Sequence, residues 1–380
     1  MLMSSLSDER PIDDPQSVEL IRATRYVLKM LNPCVGLKRT LLLASLLLMV
    51  AWRAVGTQPL PESPPHHVED GFRNPDPNFQ RPSSRTRWNF VVRRLLAASI
   101  APRTFEAPRV ANDGAALRAG VVNPSVTWVG HATVLLQLDG VNVLTDPNWS
   151  ERASPFTWAG PRRLNPPGLA FEDLPKIHAV VISHDHYDHL DLNTVKRLAE
   201  THDPLFLVPL GMKTWFADNG MSRVEELDWW QEHEYRGLRF VCLPAQHFAQ
   251  RTLWDGNRRL WASWAVQSRE RRFYFSGDTG YFPGIIEAGK RLGPFDLAAI
   301  AIGAYVPPEI MKTVHLTPEE AVQSFLDLNA RVLLGIHWGT FDLAEEPLGE
   351  PPQRMVAEAR RRGIDPERAW VLKIGETRTW

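Results

Sequence analysis

"SHDHYDHLD", residues 183–191, sets three histidines and three aspartates into nine positions, directly after the apolar run "AVVI" of 179–182. Acidic and imidazole groups so crowded compete for protons unless something holds them. In extended backbone His184 and His186, two apart, point the same way. Asp188 and His189 fall where the chain turns into a helix, aimed at a neighbouring point. Neutral imidazole and carboxylate are the ligands that suit Zn²⁺, at roughly 2.0–2.2 Å. A polar loop that merely happens to be rich in histidine is the competing reading.

The pattern recurs downstream and decides between the two. "RFVCLPAQH" ends on His247, "RFYFSGD" on Asp278 and "RVLLGIH" on His337. Each is an apolar strand delivering one ligand-type residue as it runs out, and α/β sheets bind ligands at strand ends. A lone histidine after a strand is usually a satisfied core or surface residue, but three such ends beside the cluster make a poor coincidence. His184, His186, Asp188, His189, His247, Asp278 and His337 suffice for two metal ions, with one carboxylate as bridge and room for a water.

From about Ser125 the chain alternates short apolar runs of β-branched and aromatic content with turns. Helices are expected at 190–200, 211–219, 284–291, 317–329 and 351–362. Thr317, Pro318 and Glu320 give the fourth a capping box, and "RRRG" with Gly363 closes the last. Strands first cluster and then alternate with helices, which favours a layered α/β domain over a TIM barrel.

These motifs carry a resemblance. H-x-H-x-D-H with a later His, "SGDTGY" and a last His resembles the metallo-β-lactamase superfamily, whose fold is a four-layer αβ/βα sandwich with a dinuclear metal site. "WVGHATVLLQLDGVNVLTDP" (128–147), "RASPFTWAGPRR" (152–163), "ELDWW" (226–230), "QHFAQRTLWDGNRRLWASW" (246–264), "GPFDLAAIAIGAY" (293–305), "HLTPEEA" (315–321) and "IHWGTFDLAEEP" (336–347) are similar to its N-acyl-phosphatidylethanolamine-hydrolysing phospholipase D branch. The likeness runs from about Gly71 to about Gly363. It implies two Zn²⁺ ions per chain, His184, His186 and His247 holding one, Asp188, His189 and His337 the other, and Asp278 between them. It further implies a phosphodiesterase that releases N-acylethanolamine and leaves phosphatidate, with Asp188 orienting the attacking water and His315 near the reacting phosphate. His131 is near the site by the same analogy, in a supporting role. A phospholipid substrate, a membrane surface and a homodimer are the partners implied.

One departure concerns substrate: "GAYVPPEIM" (303–311) carries Pro308 and Glu309, an acidic residue expected beside a lipid entrance. Phe156 and Trp158, followed by Arg162 and Arg163, suit an acyl chain with its headgroup, against the alternative of an ordinary packed loop. Because fold and metal site do not fix substrate, a lactone, amide or soluble phosphodiester is the alternative. A mononuclear iron redox enzyme is disfavoured by the full second ligand set, and a non-catalytic envelope protein by the presence of all seven ligands.

Composition narrows the classes. With 43 basic against 44 acidic residues among 380, no basic face for nucleic acid is evident. Two cysteines, Cys34 and Cys242, cannot build a disulfide framework. Fourteen tryptophans point to a large aromatic core. Residues 1–56 are signal-like or an anchor: Lys38 and Arg39 precede an apolar stretch at 41–52, too short to span a bilayer, and "AVG" (54–56) suits cleavage. The expectation is therefore a cell-envelope protein, periplasmic or membrane-associated. Residues 57–84 are Pro-rich and read as a linker, with His66 and His67 solvated, ahead of a hydrolase domain over 85–380.

Overall fold

The computed structural model describes residues 64–76, 79–100, 103–120 and 123–380; the segment 1–56 and the start of the Pro-rich stretch lie outside the described residues. In chain order the elements are β1 (His67–Val68), β2 (Gly71–Phe72), α1 (Ser84–Ile100), α2 (Ala115–Arg118), β3 (Ser125–Gly130), β4 (Thr133–Leu138), β5 (Val141–Thr145), β6 (Ala179–Val181), α3 (Leu192–His202), β7 (Leu205–Pro209), α4 (Lys213–Asp218) and β8 (Val224–Leu227). There follow β9 (Glu232–Tyr235), β10 (Leu238–Leu243), β11 (Ser263–Gln267), β12 (Arg272–Phe275), α5 (Pro283–Leu292), β13 (Leu297–Ala301), α6 (Pro308–Met311), α7 (Pro318–Asp327), β14 (Val332–Ile336), α8 (Glu350–Arg361), β15 (Ala369–Trp370) and β16 (Thr377–Thr379).

Two seven-stranded sheets carry the domain, ordered β16-β3-β4-β5-β6-β7-β8 and β15-β14-β13-β12-β11-β10-β9. Each is antiparallel on one side and parallel on the other, the change coming at β5–β6 in the first and β12–β13 in the second. The central strands are buried on both faces, which is why they read as continuous apolar runs. In β4, Val134 and Leu136 join the cluster holding Phe240, Cys242 and Trp264 of the other sheet. Leu135 between them joins Val195, Leu198 and Phe216 of α3 and α4. Outside the second sheet α7 supplies Val322 and Phe325, and α8 supplies Met355. Helix, sheet, sheet and helix thus make the four-layer sandwich expected. The aromatic core is present in Trp128, Trp261 and Trp264, all fully buried.

The Pro-rich stretch is a correction. Residues 64–76 belong to the compact unit Pro64–Trp380 rather than to a linker ending at 84. His66 and His67 are part-buried and paired rather than free: their Nε2 atoms lie 2.6 and 2.8 Å from Oδ1 and Oδ2 of Asp228. His66 stacks on Trp229 at 4.2 Å. A proline-rich run forms no ladder of its own, but nothing prevents its side chains from docking on another element.

Candidate metal centre

The strand β6 ends at Val181 and the chain then crosses the rim of the sheet. The backbone N–H groups of His189 and Leu190 donate to His186 O at 3.1 and 2.8 Å, closing a turn. Asp191 then caps α3, accepting from Asn193 N. This turn is why Asp188 and His189 face a different point from His184 and His186.

Two groups form. His184 Nε2 lies 2.8 Å from His186 Nδ1, which lies 3.2 Å from His247 Nε2. In the second, Asp188 Oδ2 lies 3.2 Å from His189 Nε2 and 3.5 Å from His337 Nε2, and these two nitrogens are 3.2 Å apart. Asp278 stands between the groups. Its Oδ2 is 3.2 Å from His189 Nε2, 3.9 Å from His184 Nε2 and 3.8 Å from His247 Nε2. Its Oδ1 is 3.2 Å from His337 Nε2. The sequence-derived ligand positions therefore all meet at one place.

The remote nitrogens indicate what the inward ones are for. His247 Nδ1 donates to Val314 O at 2.9 Å, so its Nε2 presents a lone pair. His189 Nδ1 is 2.6 Å from Asp146 Oδ2, and His184 Nδ1 is 2.8 Å from Ser183 Oγ. Imidazoles held from behind in this way are oriented as metal ligands. Asp278 Oδ1 is buried without a hydrogen-bond partner. Burial pushes the His184, His186 and His247 imidazoles down, into the neutral form a metal requires. Burial alone would raise Asp278, but His189, His337 and His315 outweigh it and hold its carboxyl well below the ordinary range. The donor set fits a metal centre.

Backbone strain is present at the same place. His131, Asp146, Ala304 and His337 have φ of 52°, 34°, 64° and 62°. Such left-handed conformations in non-glycine residues persist only where the surroundings over-determine them. A bulge between Trp128 and Gly130 of β3 precedes His131 and re-aims it. His131 Nε2 sits 2.9 Å from Asp188 Oδ2, so it touches the second group directly. His315 Nδ1 lies 3.7 Å from Asp278 Oδ2, and burial pushes its imidazole down to about 4.

A cavity of about 320 Å³ opens above the centre. His186, Asp188, Asp278 and His315 form its floor, and Phe90, Val91, Phe248, Ile310, Met311 and Val314 its apolar walls. One expectation is corrected here. Phe156, Trp158, Arg162 and Arg163 are not among its lining residues. Phe156 and Trp158 are 55% and 76% exposed, whereas Arg163 donates to Ser150 O and to Asn148 O and Oδ1, a loop clasp. Glu309 is exposed and directly precedes Ile310 and Met311, which line the cavity.

The sequence reading missed Asp146 and Arg81. Asp146, at the end of β5, is fully buried and also accepts from Ser183 N and Oγ. Its one signal was its place after an apolar strand, the same signal that marked His247. Arg81, on the cavity wall, lay in the stretch read as linker.

A β-lactamase superfamily domain is matched over residues 141–338. The chain belongs to the metallo-β-lactamase superfamily. An uncharacterized Mycobacterium tuberculosis protein is 41% identical over 316 residues, 80% of this chain and 82% of that one. N-acyl-phosphatidylethanolamine-hydrolyzing phospholipase D 1 of Caenorhabditis elegans is 48% identical over 228 residues, 57% of this chain and 64% of its own length, on the branch the motifs indicate. Among solved structures, Igni18, a metallo hydrolase from Ignicoccus hospitalis, aligns with a TM-score of 0.52 at 20% identity, covering 67% of this chain and 97% of that one. At that identity the likeness speaks for the fold of this superfamily and for nothing finer.

Proposed function

We propose that the chain is a zinc-dependent phosphodiesterase of phospholipase D type, hydrolysing N-acyl-phosphatidylethanolamine to N-acylethanolamine and phosphatidate. The observation that carries this reading is the placement of Asp278 between two ligand groups, at the floor of an apolar-walled cavity. In it His184, His186 and His247 hold one zinc, and Asp188, His189 and His337 hold the other. When bound, two such ions polarise a phosphoryl oxygen and make water a competent nucleophile near neutral pH.

The chain's own residues supply the rest. Asp188 turns Oδ2 toward His131, His189 and His337, which fixes the carboxylate. Its other oxygen accepts from the attacking water and aims it at phosphorus, in line with the ethanolamine oxygen. His315, on the same floor, donates to the phosphate or to the departing oxygen, a role worth about 10²–10⁴-fold. Phe90, Val91, Ile310 and Met311 take the acyl chain and keep bulk water out. The chain meets a membrane surface through exposed apolar side chains: Phe156 and Trp158 on one loop, Leu253 and Trp254 on another, with Trp254 83% exposed. The two loops share a cleft lined by Pro155 and Arg251. The amphipathic rings of Trp158 and Trp254 suit the headgroup level of a bilayer. Among the described residues no helix is long and apolar enough to cross a membrane. A homodimer and an envelope location complete the proposal.

The test is hydrolysis of N-acyl-phosphatidylethanolamine in mixed micelles, with products read by mass spectrometry. Zinc-dependent release of N-acylethanolamine with phosphatidate should be abolished by chelation and reduced at least ~10³-fold in Asp278→Asn and His337→Ala. Metal-replete protein that releases neither product overturns the phospholipase reading and leaves a smaller, soluble substrate.

A further inference from the structure

Two guanidinium groups share the cavity with the metal centre, and neither has a carboxylate partner among the described residues. Arg81 lies with its guanidinium 4.2 Å over the ring of Phe248, and that ring in turn lies 4.5 Å from His186. Arg87 donates from Nη2 to Ser84 Oγ at 3.3 Å, while its Nε is buried with no partner. Both line the cavity. Other partly buried arginines are satisfied in place: Arg259 pairs with Asp185 and Arg354 with Glu319, and Arg163 donates to Ser150 O and to Asn148 O and Oδ1. The floor carboxylates, Asp188 and Asp278, are already enclosed by imidazoles. Burial, with Arg87 nearby, pushes Arg81 down to about 10, so the group stays charged at neutral pH and its environment makes the charge costly. Two neighbouring cations without counter-charge are kept in a pocket when the pocket's ligand supplies the anion.

We propose that Arg81 and Arg87 are specificity-determining residues that admit phospholipids of net negative headgroup and reject those whose headgroup carries an ammonium. The inference rests on the phospholipase reading and deepens it. N-acylation turns the ethanolamine amine into a neutral amide, so the phosphodiester charge stands alone. In the parent ethanolamine lipid an ammonium balances that charge. A headgroup reaching the floor passes both guanidiniums, which attract the first lipid and repel the ammonium of the second. Arginine's charge persists at any physiological pH, which suits a permanent filter. The device comes from the segment just before and within α1, not from the motifs that build the metal centre.

The experiment uses the full chain and dihexanoyl lipids below their micelle concentration. Binding is measured by calorimetry in chelator, and kcat/KM separately in the zinc-loaded protein. The ligands are the N-acylated ethanolamine lipid, the parent ethanolamine lipid and phosphatidylglycerol, which is anionic with a neutral alcohol headgroup. Wild type should bind both anionic lipids about tenfold or more tighter than the ethanolamine lipid. Arg81→Met/Arg87→Met should bring the ratio to within about threefold through weaker binding of the anionic lipids, and Arg81→Lys/Arg87→Lys should keep most of it. Preference for both anionic lipids without turnover of the N-acylated one sinks the phospholipase reading and leaves the filter standing. Turnover with a ratio unchanged in the Met variant, or no binding preference in wild type, overturns the filter alone. A Met variant that does not fold leaves the wild-type ratio and the Lys variant to decide.

Discussion

At the scale of single residues, the seven positions that meet at the centre were legible because metal chemistry admits so few side chains. A histidine or aspartate closing an apolar strand has little other reason to be repeated at His247, Asp278 and His337. The residues behind them were not legible. Asp146 follows a strand too, but an aspartate before a proline reads equally as a turn. Its buried carboxylate, 2.6 Å from His189 Nδ1 and holding Ser183, sets the orientation of the "SHDHYDHLD" loop from its first residue to its seventh. Asp146→Asn should therefore weaken metal retention about 10–100-fold while leaving all seven ligands in place. Competition against a chromogenic chelator reads this directly; retention equal to wild type would make Asp146 a packing residue only. Arg81 was hidden by its proline-rich surroundings, since nothing local shows that an arginine faces a cavity.

At the scale of elements, the helices and strands with strong local signals came out within about two residues of where the pattern put them. The capping box on α7 is complete, with Thr317 accepting from Glu320 N and the Glu320 side chain reaching back to Thr317 N. Helix α1 was missed: it has no acidic residue in its first turn and no basic one in its last, so its ends carry no charge signal. The strands β8, β9 and β16 were also missed, because "VEEL", "EHEY" and "TRT" are polar edge segments held by partner strands rather than by hydrophobicity. The arm over 64–76 is the largest omission, its anchor Asp228 lying 162 residues from His66. Burial would raise the Asp228 carboxyl, but His66, the Trp229 N–H and His67 outweigh it and hold it below the ordinary carboxylate range. A carboxyl so held stabilises the fold above its unfolded pKa of about 3.9, and that contribution is lost as pH falls through the lower, folded value. Asp228→Asn should thus cost about 1–3 kcal/mol at pH 7, a deficit relative to wild type that shrinks below about pH 4. Urea titrations of both proteins from pH 8 to pH 3 measure it; a gap that is absent at pH 7, or that widens in acid, would show that the carboxylate is not what pins the arm.

At the scale of the whole molecule, both sheets are antiparallel on one side and parallel on the other, and their strand ends meet where the two layers face each other. Strands β5, β6, β10, β12 and β14 are followed by Asp146, the 183–191 loop, His247, Asp278 and His337 respectively, so one rim collects side chains that are scattered over nearly two hundred positions. The layered class was readable from apolar runs, but the facing of the two sheets was not, because a strand buried on both sides says nothing of which neighbour covers which face. The rim gathers the candidate metal centre, and α1 with the 79–91 segment lines part of the cavity above it, with Phe248, Ile310, Met311 and Val314. The proposed reaction is attack by water at phosphorus. Hydrolysis of N-acyl-phosphatidylethanolamine by zinc-loaded protein in ¹⁸O-enriched water, with both products weighed by mass spectrometry, tests it most directly. One ¹⁸O in phosphatidate and none in N-acylethanolamine is the predicted result. Label in a released fatty acid, or in the N-acylethanolamine, would place the cleavage at an ester, amide or carbon–oxygen bond and contradict the account.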